Sequence, residues 1–342
     1  MTGAPAAPSA ASSRATQPII GVAGVGVTGG LVARHLLAAG QRVAAVDQDG
    51  NAVRRVRGAV ALEHLGDLGS CDVAVLCHPA PHAALAAELL ADGVDVVSMG
   101  ADLADVKALL ALHPAAERKG RSLVIGAGMA PGLSGLLARS LAGQLHELDE
   151  LHVATHGTAG PACARQHHHA LGHTALGWHD GEWIEPAGGS GRDLVWFPEP
   201  MGAHDCYRAA LPDPLLLQAV FPGVLRISAR VSATRRDRMT ARLPMLTPPH
   251  ADGDLGAVRV EARGAGPGGE RITLISGASG PTAELAAAVC AATALRLLAV
   301  GAPPGAYPLG AGELDALDVL HHATGLGVRV QEFTGVARAT HW

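Results

Sequence analysis

Short apolar runs recur along the first part of the chain at Ile19 to Ala23, Val43 to Val46, Asp72 to Leu76, Val94 to Ser98 and Ser122 to Ile125. They are dominated by Val, Ile, Leu and Ala, as strands buried on both faces must be. A weaker run, Val60 to Leu62, falls between the second and the third of them. Helical spacing fills the gaps: Leu31, Val32, His35 and Leu36 lie on one face of a segment from Thr28 to about Ala39. The runs Ala83 to Ala91 and Leu103 to Leu112 read the same way. Strands alternating with helices of this length predict an α/β domain with a doubly wound, Rossmann-type parallel sheet. Its ligand sits beyond the carboxyl ends of the strands.

The turn out of the first strand reads Gly24-Val25-Gly26-Val27-Thr28-Gly29. Gly24 permits the tight turn, Gly26 lacks the side chain that would hold a pyrophosphate off the backbone, and Gly29 lets the helix lie close on the sheet. The helix then aims its N-terminal amides and dipole at the phosphates. Gly40 closes the helix, and Asp47 ends the second strand where a carboxylate can accept from the adenosine ribose hydroxyls. This spacing predicts a nicotinamide dinucleotide, NAD(P). Asp47 tilts the expectation to NAD by repelling a 2′-phosphate, with Arg54 and Arg55 close enough to offset it. The remaining strand ends, Cys77-His78-Pro79, Met99-Gly100 and Gly126, complete the expected cofactor wall.

From about Leu151 the pattern changes. Leu151 to His156, Arg226 to Ala233, Ala257 to Ala262 and Arg271 to Gly277 predict a mainly antiparallel sheet in a second, α+β domain, the last two strands joined by the glycine-rich turn at 264–269. Pro281 then begins a long helix, with Glu284 in its first turn. The expected organisation is a tail at 1–17, a dinucleotide domain at 18–145, a substrate and dimerisation domain at 146–280, and a segment at 281–342 that packs back on the first domain.

Composition narrows the function. The chain has 342 residues, 48% of them hydrophobic, enough for two cores. A net charge of −5 and 3% aromatic residues give neither a basic face nor a stacking platform for nucleic acid. Five scattered cysteines, Cys71, Cys77, Cys163, Cys206 and Cys290, fit neither a disulfide framework nor a thiolate metal site, which points to reducing cytoplasm. The first seventeen residues are rich in Ala, Ser and Pro without an apolar signal core and read as a disordered tail. Pro281 to Val300 is mostly alanine, is interrupted by Glu284 and Arg296, and reads as a buried helix rather than a membrane span. A homodimer acting on a small molecule is expected.

The segment Val124-Ile125-Gly126-Ala127-Gly128-Met129-Ala130-Pro131-Gly132-Leu133-Ser134 resembles the saccharopine dehydrogenase family of reductases, in which a small-residue turn and a Pro-Gly-Leu-Ser type helix start join the two domains. The helix from Pro281 to near Gly301, the run Pro303 to Pro308 and the closing Gly325-Leu326 are similar as well. The resemblance covers about 18–145 and 280–330. It implies a nicotinamide-dependent oxidoreductase acting on a carbon-nitrogen bond, joining an amino acid and a carbonyl compound in the founding case. Some relatives instead reduce carbon-carbon double bonds in lipid pathways. The chain departs from the family in its compact, aromatic-poor substrate domain. The glucose-fructose oxidoreductase type expects Glu-Lys-Pro after the fifth strand; here Ser98-Met99-Gly100 stands there, and Lys107 and Lys119 are the only lysines.

For the proton that accompanies hydride transfer, His78 after the fourth strand and His156 at the end of the second domain's first strand are the candidates. The plainer reading packs His78 on the cofactor, turns His82 to solvent and leaves His156 in the core. His169 and His173, four residues apart, could share a helix face and a metal, but no third ligand has suitable spacing, so no metal is expected. Arg165, Arg192 and Arg208 are candidate clamps for a substrate carboxylate, beside a loop at Gly188-Gly189-Ser190-Gly191 suited to close over a ligand. Met129, at the end of the sixth strand's loop, is placed against the substrate. A small imine or carbonyl substrate is expected. The alternatives are a non-catalytic dinucleotide sensor or scaffold, which would lack an acid and a closed pocket, and an enoyl reductase of lipid metabolism, which would need an apolar groove in the second domain.

Overall fold

A computed structural model describes residues 17–245 and 249–333. The expected tail, apart from Gln17, and the end of the last segment at 334–342 lie outside the described residues. The chain begins with β1 (Ile19–Ala23), α1 (Val27–Ala38), β2 (Arg42–Val46), α2 (Gly50–Arg55), β3 (Val60–Ala61), β4 (Val73–Leu76) and α3 (Ala83–Ala91). There follow β5 (Asp95–Ser98), α4 (Leu103–Leu110), α5 (His113–Lys119), β6 (Ser122–Ile125) and α6 (Leu133–Ala142). The helix expected from Leu103 to Leu112 ends at Leu110, and α5, which was not expected, follows it with Pro114 in its first turn.

The second sheet is built from β7 (Glu147–His156), α7 (Pro161–Gly172), β8 (Gly177–His179), β9 (Glu182–Ile184), β10 (Asp193–Phe197), β11 (Gly202–Arg208), α8 (Asp213–Val220), β12 (Arg226–Ser232), α9 (Arg235–Thr240), β13 (Leu255–Ala265) and β14 (Arg271–Pro281). The chain ends with α10 (Thr282–Val300), β15 (Gly305–Pro308), α11 (Ala316–Gly325) and β16 (Val330–Glu332).

Seven parallel strands form the first sheet in the order β15-β6-β5-β4-β1-β2-β3. The direction of winding reverses between β1 and β4, the switch point at which sheets of this kind form their ligand crevice. β15 was not legible beforehand. Its two flanking prolines and Gly305 read as loop, yet it pairs with β6 at the sheet edge, where Pro308 forfeits no ladder bond. α10 is long and apolar enough to cross a membrane, but Ala287, Val289, Cys290, Ala291 and Ala292 are fully buried against α1, α11, β4 and β14. Its small side chains let those neighbours approach closely.

The second sheet runs β10-β11-β12-β7-β13-β14-β16, with the β8–β9 hairpin on β12. The four expected strands are present, β7, β13 and β14 longer than expected and β12 ending one residue short at Ser232, and β13 and β14 pair along eleven residues each. One pairing departs from the antiparallel rule: β7 and β12 are parallel, joined by a long crossover through α7, the four strands β8 to β11, and α8. Alternation separates the faces. Leu151, Val153, Ile227, Ala229, Val231, Val258 and Val260 are buried on the face covered by α6 and α8. Glu150, His152, Arg226, Arg230, Arg259 and Glu261 line a groove on the opposite face, where Arg259 Nη2 meets Glu261 Oε2 at 2.6 Å.

Candidate active site

Each glycine of the first turn meets a different constraint. Gly24 has φ +83°, and a Cβ there would lie 2.7 Å from the amide nitrogen of His78. A Cβ on Gly29 would overlap the carbonyl oxygen of Gly24 and crowd Cys77, so α1 can approach the sheet only without it. Gly26 differs: a Cβ would meet no protein atom within 4 Å. The space over Gly26, at the exposed start of α1 with Val27 and Thr28 beside it, is therefore a cradle that a side chain would fill. Asp47 closes its rim, accepting from the Val25 amide at 2.7 Å and from the Asp49 amide at 2.9 Å. Arg55 pairs with Asp49 at 3.6 Å and Arg54 bonds Asn51, so both cationic groups are held on α2.

Along the crevice, the ends of β4 and β5 are tied together by a buried imidazole. His82 is 1% exposed rather than turned to solvent as the plainer sequence reading has it. Its Nε2 donates to the His78 carbonyl at 2.7 Å, and its Nδ1 accepts from Ser98 Oγ at 2.8 Å; Ser98 Oγ in turn accepts from the Gly100 amide at 3.1 Å. Asp105, buried on α4, accepts from the His82 amide at 3.0 and 2.9 Å and from the Ala83 amide at 3.0 Å. This arrangement requires neutral His82, and burial, then the nearby His78 ring, push its pKa down to about 4. Sequence reasoning missed Asp105. The only signal was an acid in the first turn of α4.

His78 stacks edge-on against His82 with ring centroids 4.4 Å apart. Its Nδ1 lies 2.8 Å from the Pro79 carbonyl and must carry the proton. Its Nε2 is buried with no protein partner, an acceptor left for a ligand. Met99, Gly100, Gly126 and the buried Met129 follow at the ends of β5 and β6.

The second domain reaches this crevice through α7 and α8. A Cβ on Gly160, just before α7, would lie 3.3 Å from Val27. At the other end, Asp213 at the start of α8 is 1% exposed and accepts from Ser134 Oγ at 2.6 Å, beside Gly126, Pro131 and Gly132. Burial raises the Asp213 carboxyl to about 6. On α7, Cys163 Sγ lies 3.8 Å from His167 Nε2. In the sequence nothing singles out Asp213, Cys163 stands only among the scattered cysteines, and His167 only within the histidine run weighed for a metal, four residues after Cys163.

Several sequence candidates fall elsewhere. His156 projects to the same sheet face as His152, away from α6; its Nδ1 accepts from Ser232 Oγ at 2.8 Å, and its ring stacks on His204 at 3.9 Å and packs near Phe197. Burial and His204 push its pKa down to about 4. Arg192 is exposed and paired with Asp205 at 3.0 Å, Arg165 points outward from α7, and the Arg208 guanidinium lies under Gly191. The three arginines do not converge on one ligand. The loop at 188–191 is pinned rather than free, because Gly188 packs on the His173 and Leu171 carbonyls and Gly189 donates to Arg208 O at 2.8 Å. α7 ends at Gly172, so His173 is extended and stacks on the His169 ring at 3.8 Å instead of sharing its helix face. Among the described residues no group of three metal-capable side chains converges.

This is a Rossmann-type parallel sheet joined to a second, mixed sheet. The chain has the fold of the apo saccharopine dehydrogenase (L-Glu forming) of Saccharomyces cerevisiae: TM-score 0.68, 13% identity, 93% of this chain and all of that one covered. A meso-dapdh mutant with DAP from Clostridium tetani covers 85% of this chain and 93% of its own at 14% identity, with a TM-score of 0.45. No family profile matches the sequence, and no curated protein matches it.

Proposed function

We propose that this protein is an NAD(P)-dependent oxidoreductase that passes a hydride between a nicotinamide and a small imine or carbonyl substrate. The observation that carries the reading is the open cradle over Gly26 together with the buried, unpartnered Nε2 of His78, at strand ends beside the switch point of a parallel sheet. Gly24, Val25, Gly26, Val27, Thr28 and Gly29 would hold the pyrophosphate through backbone amides, and Asp47 the adenosine ribose. That Asp47 faces the rim as a carboxylate, with Arg54 and Arg55 engaged on α2, supports NAD over NADP. Bound there, the nicotinamide supplies or takes the hydride at C4. Cys77, His78, Pro79, Met99, Gly100 and Gly126 wall its binding space; His78 Nε2 accepts a hydrogen bond, and α7 and α8 limit water from the second-domain side. The resemblance of the segment from Val124 to Ser134 to the saccharopine dehydrogenase family, which implies chemistry at a carbon-nitrogen bond, favours an imine over a plain carbonyl.

Titration of NADH and NADPH fluorescence against purified protein tests the reading. Saturable binding that is lost in a folded Gly26→Val variant is expected; binding of neither cofactor overturns it.

A further inference from the structure

α7 presents an unusual inward face. Cys163, Gln166, His167 and Ala170 follow the i, i+3, i+4, i+7 spacing of one helical stripe, and Arg165 and His169 point away from it. The fully buried positions of α7 are Ala164, Ala170 and Leu171; beside them Cys163, Gln166 and His167 are half-buried, and Gln166 Nε2 is left without a protein partner. The helix is also placed at two points. Gly160, just before it, lies against Val27 at the loop assigned to the pyrophosphate, and His167 in its middle is acted on by Asp213, which pairs with Ser134 at the turn after β6. An extended dinucleotide runs from the first point towards the second, so the middle of α7 flanks its path.

We propose that Cys163 and His167 form a thiolate–imidazolium pair on α7, and that His167 is the residue that exchanges a proton with the substrate; this second part rests on the oxidoreductase reading above. The geometry favours charge separation. Sγ and Nε2 are 3.8 Å apart, and Cys163 sits in the first turn of a twelve-residue helix, where the amide dipoles stabilise a thiolate. The buried Asp213 carboxyl on α8, with Oδ2 left without a partner, also favours the charged imidazole. The two groups shift towards each other accordingly: the pair and the Ala159 backbone hold the thiol below its ordinary range, and Cys163 and Asp213 hold the imidazole above its own, each against an opposing burial effect.

Since Nε2 faces sulfur, the proton leaves from Nδ1. As a C=N or C=O carbon takes the hydride, its heteroatom gains the π pair and one proton from His167; water then reprotonates the imidazole beside the thiolate. In the reverse direction His167 takes the proton.

The pair is read without any substrate. Absorbance at 240 nm should show a thiolate step below the ordinary thiol value of about 8.5, absent in Cys163→Ser and moved up in pH in His167→Gln and His167→Ala. Iodoacetamide labelling of the Cys163 peptide, followed by mass spectrometry, should slow about tenfold with NADH at about ten times its dissociation constant. A Cys163 step at or above about 8.5 overturns the pair. Equal labelling in the presence of NADH that fluorescence shows to be bound overturns its place beside the cofactor. Absence of NADH binding instead overturns the oxidoreductase reading, and the proton role with it, and the 240 nm step still decides the pair. In turnover, folded His167→Gln should lower kcat with the cofactor KM unchanged; wild-type kcat overturns the proton role.

Discussion

The imidazole of His82 donates through Nε2 to the carbonyl oxygen of His78 at 2.7 Å, and so fixes the loop after β4 from beneath. With Ser98 on the other ring nitrogen, one buried side chain sets the spacing between two strand ends that carry the candidate cofactor wall. His82→Ala should destabilise the protein by about 2 to 3 kcal/mol, because it strands the His78 carbonyl and Ser98 hydroxyl and opens a void. Urea denaturation measures the loss. Cofactor affinity should fall as well in the fraction that remains folded, since His78 loses its support.

The first turn separates folding from binding. Gly26→Ala should leave stability within about 0.5 kcal/mol and weaken NADH binding, because the new Cβ meets only the space reserved for a ligand. Gly29→Ala should cost about 2 kcal/mol or more in stability, because its Cβ collides with Gly24 and Cys77 inside the protein. Thermal melts and fluorescence titrations on both variants check the contrast. Equal melting temperatures would refute it.

Asp47 has two tasks that one substitution cannot separate. Its carboxylate shapes the glycine turn through the Val25 amide, and in the proposed binding mode it stands where a 2′-phosphate would go. Asp47→Asn should therefore weaken NADH binding, and narrow the NADH to NADPH affinity ratio by about tenfold through the lost repulsion. Parallel titrations with both cofactors decide it; an unchanged ratio would show that the acid plays no part in selection.

The first sheet was legible because β1, β2, β4, β5 and β6 are apolar on both faces and their glycines sit at fixed offsets. β15 was not, since an edge strand carrying Pro308 has a loop's composition. In the second domain only the strands with strong alternation could be read; β10 and β11 mix Trp196, His204 and Asp205 with buried Val195 and Cys206, and their pairing is decided by neighbours far along the chain. The same holds for the site. Gly24 to Gly29 and Asp47 are local signals, whereas Ser134–Asp213 joins residues 79 positions apart and His82–Ser98 joins residues 16 apart. Charge and a nearby glycine loop do not say where an arginine side chain lies: Arg165 is exposed on α7, Arg192 pairs with Asp205, and the Arg208 guanidinium packs at Gly191.

The pH dependence of stability should carry two opposed slopes. His82 titrates at about 4 in the native protein against an ordinary 6.5. Between those values the unfolded chain binds a proton that the native state refuses, so stability falls as the pH drops through the window, by at most about 3 kcal/mol. His156, also lowered to about 4, adds to this slope, more weakly because its ring is half exposed. Asp213 acts in the other direction: raised from 3.8 to about 6, it keeps a proton in the native state that the unfolded chain releases, so stability falls as the pH rises through that range. In the wild type the two effects offset each other between about 4 and 6. Asp213→Asn should therefore steepen the gain in stability from pH 4.5 to 7, and His82→Gln should flatten or reverse it. Denaturation midpoints at the two pH values for the three proteins give the answer. A wild-type difference that neither substitution alters would mean that other groups govern the titration.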